Sequence, residues 1–233
     1  MHISAIIAAG GQGRRMNSSV SKQFLNIKGH PILYYTLNIF EKMDELNSIV
    51  LVTGEADIDY TREKIVKRYR FKKVELVSGG KERQDSVYNG LRKLSPQTDI
   101  VVIHDGVRPF VPRQIIESSI AAAVEYKAVG VAVPVKDTIK VVDSDNTIKS
   151  TPDRSTLWAM QTPQTFHYDI IMKAYEKAMA EGFYGTDDTV LVERLGFPVK
   201  IIEGAYENIK ITTPEDIVLA EAFISVGYGN YRR

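Results

Sequence analysis

The chain has 233 residues, long enough for one large α/β core, and its 44% apolar and 25% charged residues are those of an ordinary globular protein. Its 30 lysines and arginines against 29 aspartates and glutamates leave a net charge of +1, which excludes bulk attraction to nucleic acid or a membrane surface and makes any anion site local. With no cysteine there are no disulfides or thiolate metal centres, and with no signal peptide or apolar run of membrane-spanning length a cytoplasmic location is expected.

Ile3–Gly10 (ISAIIAAG) is a continuous apolar run, the pattern of a strand buried on both faces. It breaks into Gly10, Gly11 and Gly13, then Arg14, Arg15 and Lys22. Pro31 opens a predicted helix with Ile32, Tyr35, Ile39, Phe40 and Met43 on one stripe. Ser48–Gly54 is a second buried strand, followed by a charged helix over Ala56–Tyr69. KVELVSGG is a third strand, a helix spans Gln84–Leu94, and Asp99–Gly106 is a fourth strand running into Asp105. Pro112 opens a helix whose apolar face is Ile115, Ile116, Ile120 and Val124. This alternation predicts an α/β fold: a mostly parallel sheet with right-handed crossovers and helices on both faces. Ligands of such sheets sit at the strands' carboxyl ends, so the glycine loop, SGGKERQDS and HDGVRP are expected on one edge.

From Lys136 to Phe166 the pattern becomes β-type alternation around the turn signal Asp143–Asn146, which predicts a hairpin arm, at about residues 136–158, leaving the sheet. YDIIMKAYEKAMA reads as a helix, PVKIIEG and NIKIT as short strands, and TTPEDIVLAEAFI as a final helix with Thr213 at its N-cap, Pro214 at N1 and Asp216 at N3. One domain over residues 1–233 plus the arm is the simplest organisation. A lone hairpin is marginal in water, so Ile139, Val141, Val142 and Ile148 need cover. A second copy of the arm, in a homodimer, is the expected cover.

The glycine loop lets backbone N–H groups approach an anion. A dinucleotide fingerprint would need a third glycine where Met16 stands and a ribose-binding acid further on, and neither is present. A Walker A lysine–serine pair is also missing. A triphosphate carries about four negative charges near neutral pH, and Arg15 and Lys22 are the cations to meet it, as a planar fork and a point charge. Asp105, at a strand end on the same edge, is the candidate carboxylate for Mg²⁺ or Mn²⁺. His104 is expected to be a packing residue.

AAGGQGRRM…SKQF, GGKERQDSV, HDGVRPF, VKDTIK, DRSTLWAMQTPQTF, TDDTVLVER and ENIKITTPEDIVLAE, in that order along the whole chain, resemble the 2-C-methyl-D-erythritol 4-phosphate cytidylyltransferases. A sister family, the ribitol-5-phosphate cytidylyltransferases, shares much of the pattern. The resemblance implies a Rossmann-like nucleotidyltransferase sheet and transfer of CMP from CTP to a sugar-alcohol phosphate, with release of pyrophosphate. It implies that Arg15 and Lys22 stabilise the triphosphate and that Arg154 and Lys210 position the acceptor phosphate. The family's loop is often one residue shorter; counting back from Lys22 favours Arg15 over Arg14. It further implies that Ala8, Ala9, Gly10, Gly11, Gly80, Ser86 and Gly106 hold the nucleotide, that Asp105 binds the metal, and that Arg108, Asp137, Thr138, Thr162 and Thr186 surround the acceptor. Members dimerise through the arm, which also implies that Thr138 works in the partner's site. Outside this family, a nicotinamide-dependent reductase and a non-catalytic nucleotide-binding protein remain the alternatives of another class.

Overall fold

The computed structural model describes residues 1–11 and 21–228. Gly13, Arg14, Arg15 and Met16 lie outside them. The leading apolar run forms β1 (Ile3–Ala9) in the middle of the main sheet. Its alternate residues are buried in opposite directions. Ile3, Ala5 and Ile7 join one apolar cluster and Ile6 joins another, which is why no polar residue interrupts the run except Ser4. After the short strands β2 (Asn26–Ile27) and β3 (His30–Pro31) come α1 (Ile32–Glu41) and β4 (Ser48–Thr53). The predicted charged helix is composite: a 3₁₀ turn, then α2 (Ile58–Thr61), then a π-helical stretch over Arg62–Lys67. β5 (Val74–Ser78), α3 (Arg83–Lys93), β6 (Ile100–Asp105) and α4 (Arg113–Tyr126) follow as expected, and β7 (Ala128–Pro134) comes next. The exception in α4 is Val124, which is half exposed; Ala123 takes the buried place.

The chain then leaves the sheet, pairs β8 (Val141–Val142) with β9 (Ile148–Ser150) as the expected arm, and returns as β10 (Trp158–His167). This return corrects the sequence expectation. Trp158–Phe166 is no part of a projecting hairpin; it is a central strand, antiparallel to both β6 and β7. Its Pro163, which has no N–H for a ladder, sits in the bulge where register shifts between Met160 and Gln164. The chain closes with α5 (Tyr168–Ala180), α6 (Asp188–Arg194), β11 (Lys200–Glu203) and α7 (Pro214–Val226). The expected strand at NIKIT is also corrected. Those residues form no ladder; Ile211 donates one backbone bond to Val107 O, and Ile209 and Ile211 pack into an apolar cluster beneath α7. The capping box of Thr213 and Asp216 with Pro214 at the start of α7 is as read.

Among the described residues the main sheet has the order β11-β7-β10-β6-β1-β4-β5, with β10 its antiparallel member. Helices α1 and α4 pack on one face, and α3, α5 and α6 on the other. The carboxyl ends of β1, β4, β5, β6 and β7 therefore share one edge. Among the described residues no helix is long and apolar enough to cross a membrane.

Candidate active site

The glycines and Ser86 meet where β1, β4 and β5 end. Gly106 N donates to Ala8 O at 2.8 Å, and Gly79 N donates to Thr53 O at 2.7 Å. Ser86, in the first turn of α3, accepts a bond from Gly80 N at 3.1 Å and donates one to Glu82 O at 3.0 Å. A Cβ built on Gly10 would lie 3.5 Å from Ser86 Oγ, so the two loops touch. At Gly80 a Cβ would fall 2.3 Å from that of Asp85, which leaves room for glycine alone. Gly11 is exposed, and Lys22 is half-buried at the head of a 3₁₀ turn, Lys22–Phe24. Ser21 beside it donates to Asp57 just past β4, which ties this turn to the same edge.

Asp105 ends β6 under three cations. Its Oδ1 lies 3.1 Å from Arg83 Nε, and its Oδ2 lies 2.9 Å from Lys210 Nζ and 3.5 Å from Arg108 Nε. Burial alone would raise the Asp105 carboxyl, but Arg83, Lys210 and Arg108 outweigh it and hold the group well below the usual carboxylate range. Arg83 also makes a bidentate pair with buried Asp188, both contacts at 2.9 Å, and Tyr175 donates its hydroxyl to the same carboxylate. The cluster holds three cations (Arg83, Arg108, Lys210) against two carboxylates (Asp105, Asp188), so it is net positive.

Neutral groups hold this cluster in place. Asp105 N donates to Thr162 Oγ1 at 3.0 Å, and Thr162 Oγ1 lies 3.0 Å from His104 Nδ1. His104 Nε2 lies 3.1 Å from Arg108 O, a carbonyl that only accepts, so Nε2 carries the proton. Burial pushes His104 down to about 4, so the ring is neutral at pH 7, its Nδ1 accepts, and the Thr162 hydroxyl donates to it. Asn208, fully buried, donates its side-chain amide to Thr162 O at 2.8 Å, and its backbone carbonyl accepts from Arg108 Nη1 at 2.7 Å. Two residues on, Lys210 reaches Asp105.

A sequence profile of the 2-C-methyl-D-erythritol 4-phosphate cytidylyltransferases matches residues 3–226. The chain belongs to that family. A relative of that name from Caldanaerobacter subterraneus subsp. tengcongensis is 52% identical over 96% of this chain and 99% of its own length. One from Clostridioides difficile is 50% identical over 96% and 94%. The crystal structure of 4-diphosphocytidyl-2C-methyl-D-erythritol synthase from Anaerococcus prevotii superposes with a TM-score of 0.86 at 38% identity, covering 96% of both chains.

Against the family's pattern, the structure brings Ala8, Ala9, Gly10, Gly80, Ser86, Asp105 and Gly106 to one edge, with Arg108, Thr162 and Lys210 around Asp105. Arg154, Asp137 and Thr138 are exposed on the arm, and Arg154 Nη1 donates to Lys136 O at 2.8 Å. Among the described residues no hydrogen bond or ion pair joins these three to the Asp105 cluster. Thr186 is exposed in the turn before α6, two residues from Asp188. The chain's own reading missed Arg83, Asp188 and Asn208. Arg83 stands in the quoted SGGKERQDS at a strand end and Asp188 in TDDTV, but only the fold joins two residues 105 positions apart.

Proposed function

We propose that this chain transfers CMP from CTP to 2-C-methyl-D-erythritol 4-phosphate, giving 4-diphosphocytidyl-2-C-methyl-D-erythritol and pyrophosphate. The observation that carries this is the Asp105 cluster, net positive beside a glycine edge, with its carboxylates bound to Arg83, Arg108 and Lys210 and its His104 buried between Thr162 and Arg108 O. An acceptor phosphate oxygen attacks the α-phosphorus of CTP, and the bond to the β-phosphate oxygen breaks. A phosphate monoester is already largely dianionic at pH 7, so no proton needs removing. The barrier is the approach of two anions, and preorganised cations lower it. Lys22 and Arg15 serve the triphosphate; Lys210, Arg108 and Arg154 serve the acceptor phosphate. Gly80 and Ser86 flank the cytosine, whose exocyclic amine is a donor where uracil has an acceptor.

Asp105 suits a divalent ion in one respect: it is a fixed, ionised oxygen donor on the nucleotide edge. Among the described residues no group of three or more His, Asp or Glu stands ready to hold a metal, so Asp105 would supply one ligand and phosphates and water the rest, as Mg²⁺ prefers. Mg²⁺, or Mn²⁺, bound there would neutralise part of the triphosphate charge. The protein works as a homodimer. Its arm leaves Ile139, Val141, Val142 and Ile148 exposed by 40%, 45%, 47% and 59%, an apolar ribbon that a second arm would cover. A cytoplasmic location, with no nucleic-acid or membrane partner, completes the proposal.

The test is pyrophosphate release from CTP and Mg²⁺ with 2-C-methyl-D-erythritol 4-phosphate and, separately, ribitol 5-phosphate. Release with the first alone is expected. Preference for the second reassigns the acceptor. Release with neither, together with a melting-temperature rise on NADPH and not CTP, would refute the activity.

A further inference from the structure

The first turn of α3 carries the nucleotide loop at its start, and three of its successive residues grip the segment that carries Thr186. Arg83 pairs with Asp188. Asp85 Oδ1 accepts from Tyr184 OH at 3.1 Å while its Oδ2 caps α3 through Glu82 N. Between them Gln84, buried to 6% exposure, makes a two-point bond to backbone: Nε2 donates to Phe183 O at 2.8 Å, and Oε1 accepts from Gly185 N at 2.9 Å. Backbone polarity fixes the orientation of that amide, because Phe183 O only accepts and Gly185 N–H only donates.

The far side of the segment is held as well. Asp187 caps α6 through Val190 N at 3.1 Å and accepts from Gln164 Nε2 at 2.9 Å, while Gln164 Oε1 takes Asp188 N and Thr189 N. Thr186 is left exposed between two fastened neighbours, Gly185 and Asp187. Arg83 grips by charge at Asp188, two residues past Thr186, and not at a residue next to it. Gln84 holds such a neighbour, Gly185.

We propose that Gln84 is a positioning residue for the acceptor half of the site: it fixes Thr186 relative to the nucleotide edge at Gly80 and Ser86, without touching either substrate. The proposal rests on the function proposed above. In that function the two substrates must meet in line, and a small displacement between the halves costs rate. Gln84 links the halves through backbone atoms on both sides, so the acceptor half inherits its place from the nucleotide half.

The test compares wild type with Gln84→Ala and Gln84→Glu. The second keeps the side chain's size, accepts from Gly185 N, and sets a carboxylate oxygen against Phe183 O. In steady-state assays kcat/KM for 2-C-methyl-D-erythritol 4-phosphate should fall about tenfold in both, the scale of one or two lost hydrogen bonds, while the calorimetric Kd of CTP stays within about twofold. Equal losses for both substrates would mean a structural role only, and unchanged constants would mean no role; either overturns the proposal. Hydrogen exchange of residues 183–187, with and without CTP, reads the link independently of turnover. CTP should slow exchange there in wild type and not in the variants. Equal protection in all three overturns the proposal. Wild type that shows the protection yet fails to turn over the acceptor would refute the functional reading and leave the link standing.

Discussion

Lowering the pH should destabilise this protein through His104 well before its carboxylates protonate. The ring is fully buried between Thr162 Oγ1 and Arg108 O, and burial brings it from an ordinary value of 6.5 to about 4. The unfolded chain takes up a proton near pH 6.5 while the folded chain refuses it until about pH 4. The contribution of His104 is therefore fully present above pH 6.5, falls as pH drops through the interval, and is gone below about pH 4. The fall from 6.5 to about 4 corresponds to about 3 kcal/mol in full, of which about 2 kcal/mol is already lost at pH 5. The perturbation that isolates the group is His104→Gln, since a glutamine amide accepts from Thr162 and donates to Arg108 O without titrating. Urea unfolding of both proteins at pH 7.5, 6.5, 5.5 and 5.0 gives the difference directly. Wild type should lose about 2 kcal/mol more than His104→Gln across that range. Parallel curves, or a ring that protonates near pH 6.5 by NMR in the folded state, would refute the reasoning.

Arg83→Met should cost about 3–5 kcal/mol, because it strips both contacts from buried Asp188, and adding Asp188→Asn should return part of that loss in chemical denaturation. Lys22→Ala should slow turnover by about 10²–10³-fold, with little change in melting temperature, if one preorganised charge on the triphosphate is lost. Mixing inactive Lys22→Ala with inactive Thr138→Glu under conditions of confirmed subunit exchange should restore about a quarter of wild-type activity, since half of the dimers are then mixed and each holds one intact shared site; exchange without recovery would place Thr138 in its own chain's site.

Some parts of this fold announce themselves in the sequence and others hide for definable reasons. β1, β4 and β6 are buried on both faces, so they appear as unbroken apolar runs, and Asp105 stands out as an acid at the end of one. β10 is equally central yet reads as polar. Its Gln161, Thr162, Gln164 and Thr165 are all buried, but each is satisfied by a distant partner such as Ala205 O, His104, Asp187 or Ser119. No local pattern reveals such partners, and Pro163 argues against a central strand. NIKIT misleads in the opposite way, since Ile209 and Ile211 alternate because they pack beneath α7, with no ladder involved. The nucleotide edge was legible because glycine and strand ends mark it locally. The pairing of Arg83 with Asp105 and Asp188 was not, because Arg83 and Asp188 stand in charged stretches far apart in the chain and nothing local joins them.

The position of β10 also dictates an order of events as the chain is made. β6 is complete by residue 105 and β7 by residue 134, but they are not neighbours; a strand-wide slot separates them until residues 158–167 emerge. A nascent chain that has reached the arm thus carries one bare edge on β6 and two on β7, each a template for pairing with another chain. The arm is the tip of the long hairpin formed by β7 and β10, whose last sheet pair is Pro134 with Trp158. The joining of β7 to the β6-β1-β4-β5 part of the sheet must wait for that hairpin to close, and the synthesis of residues 106–167 is the interval in which the edge of β6 needs protecting.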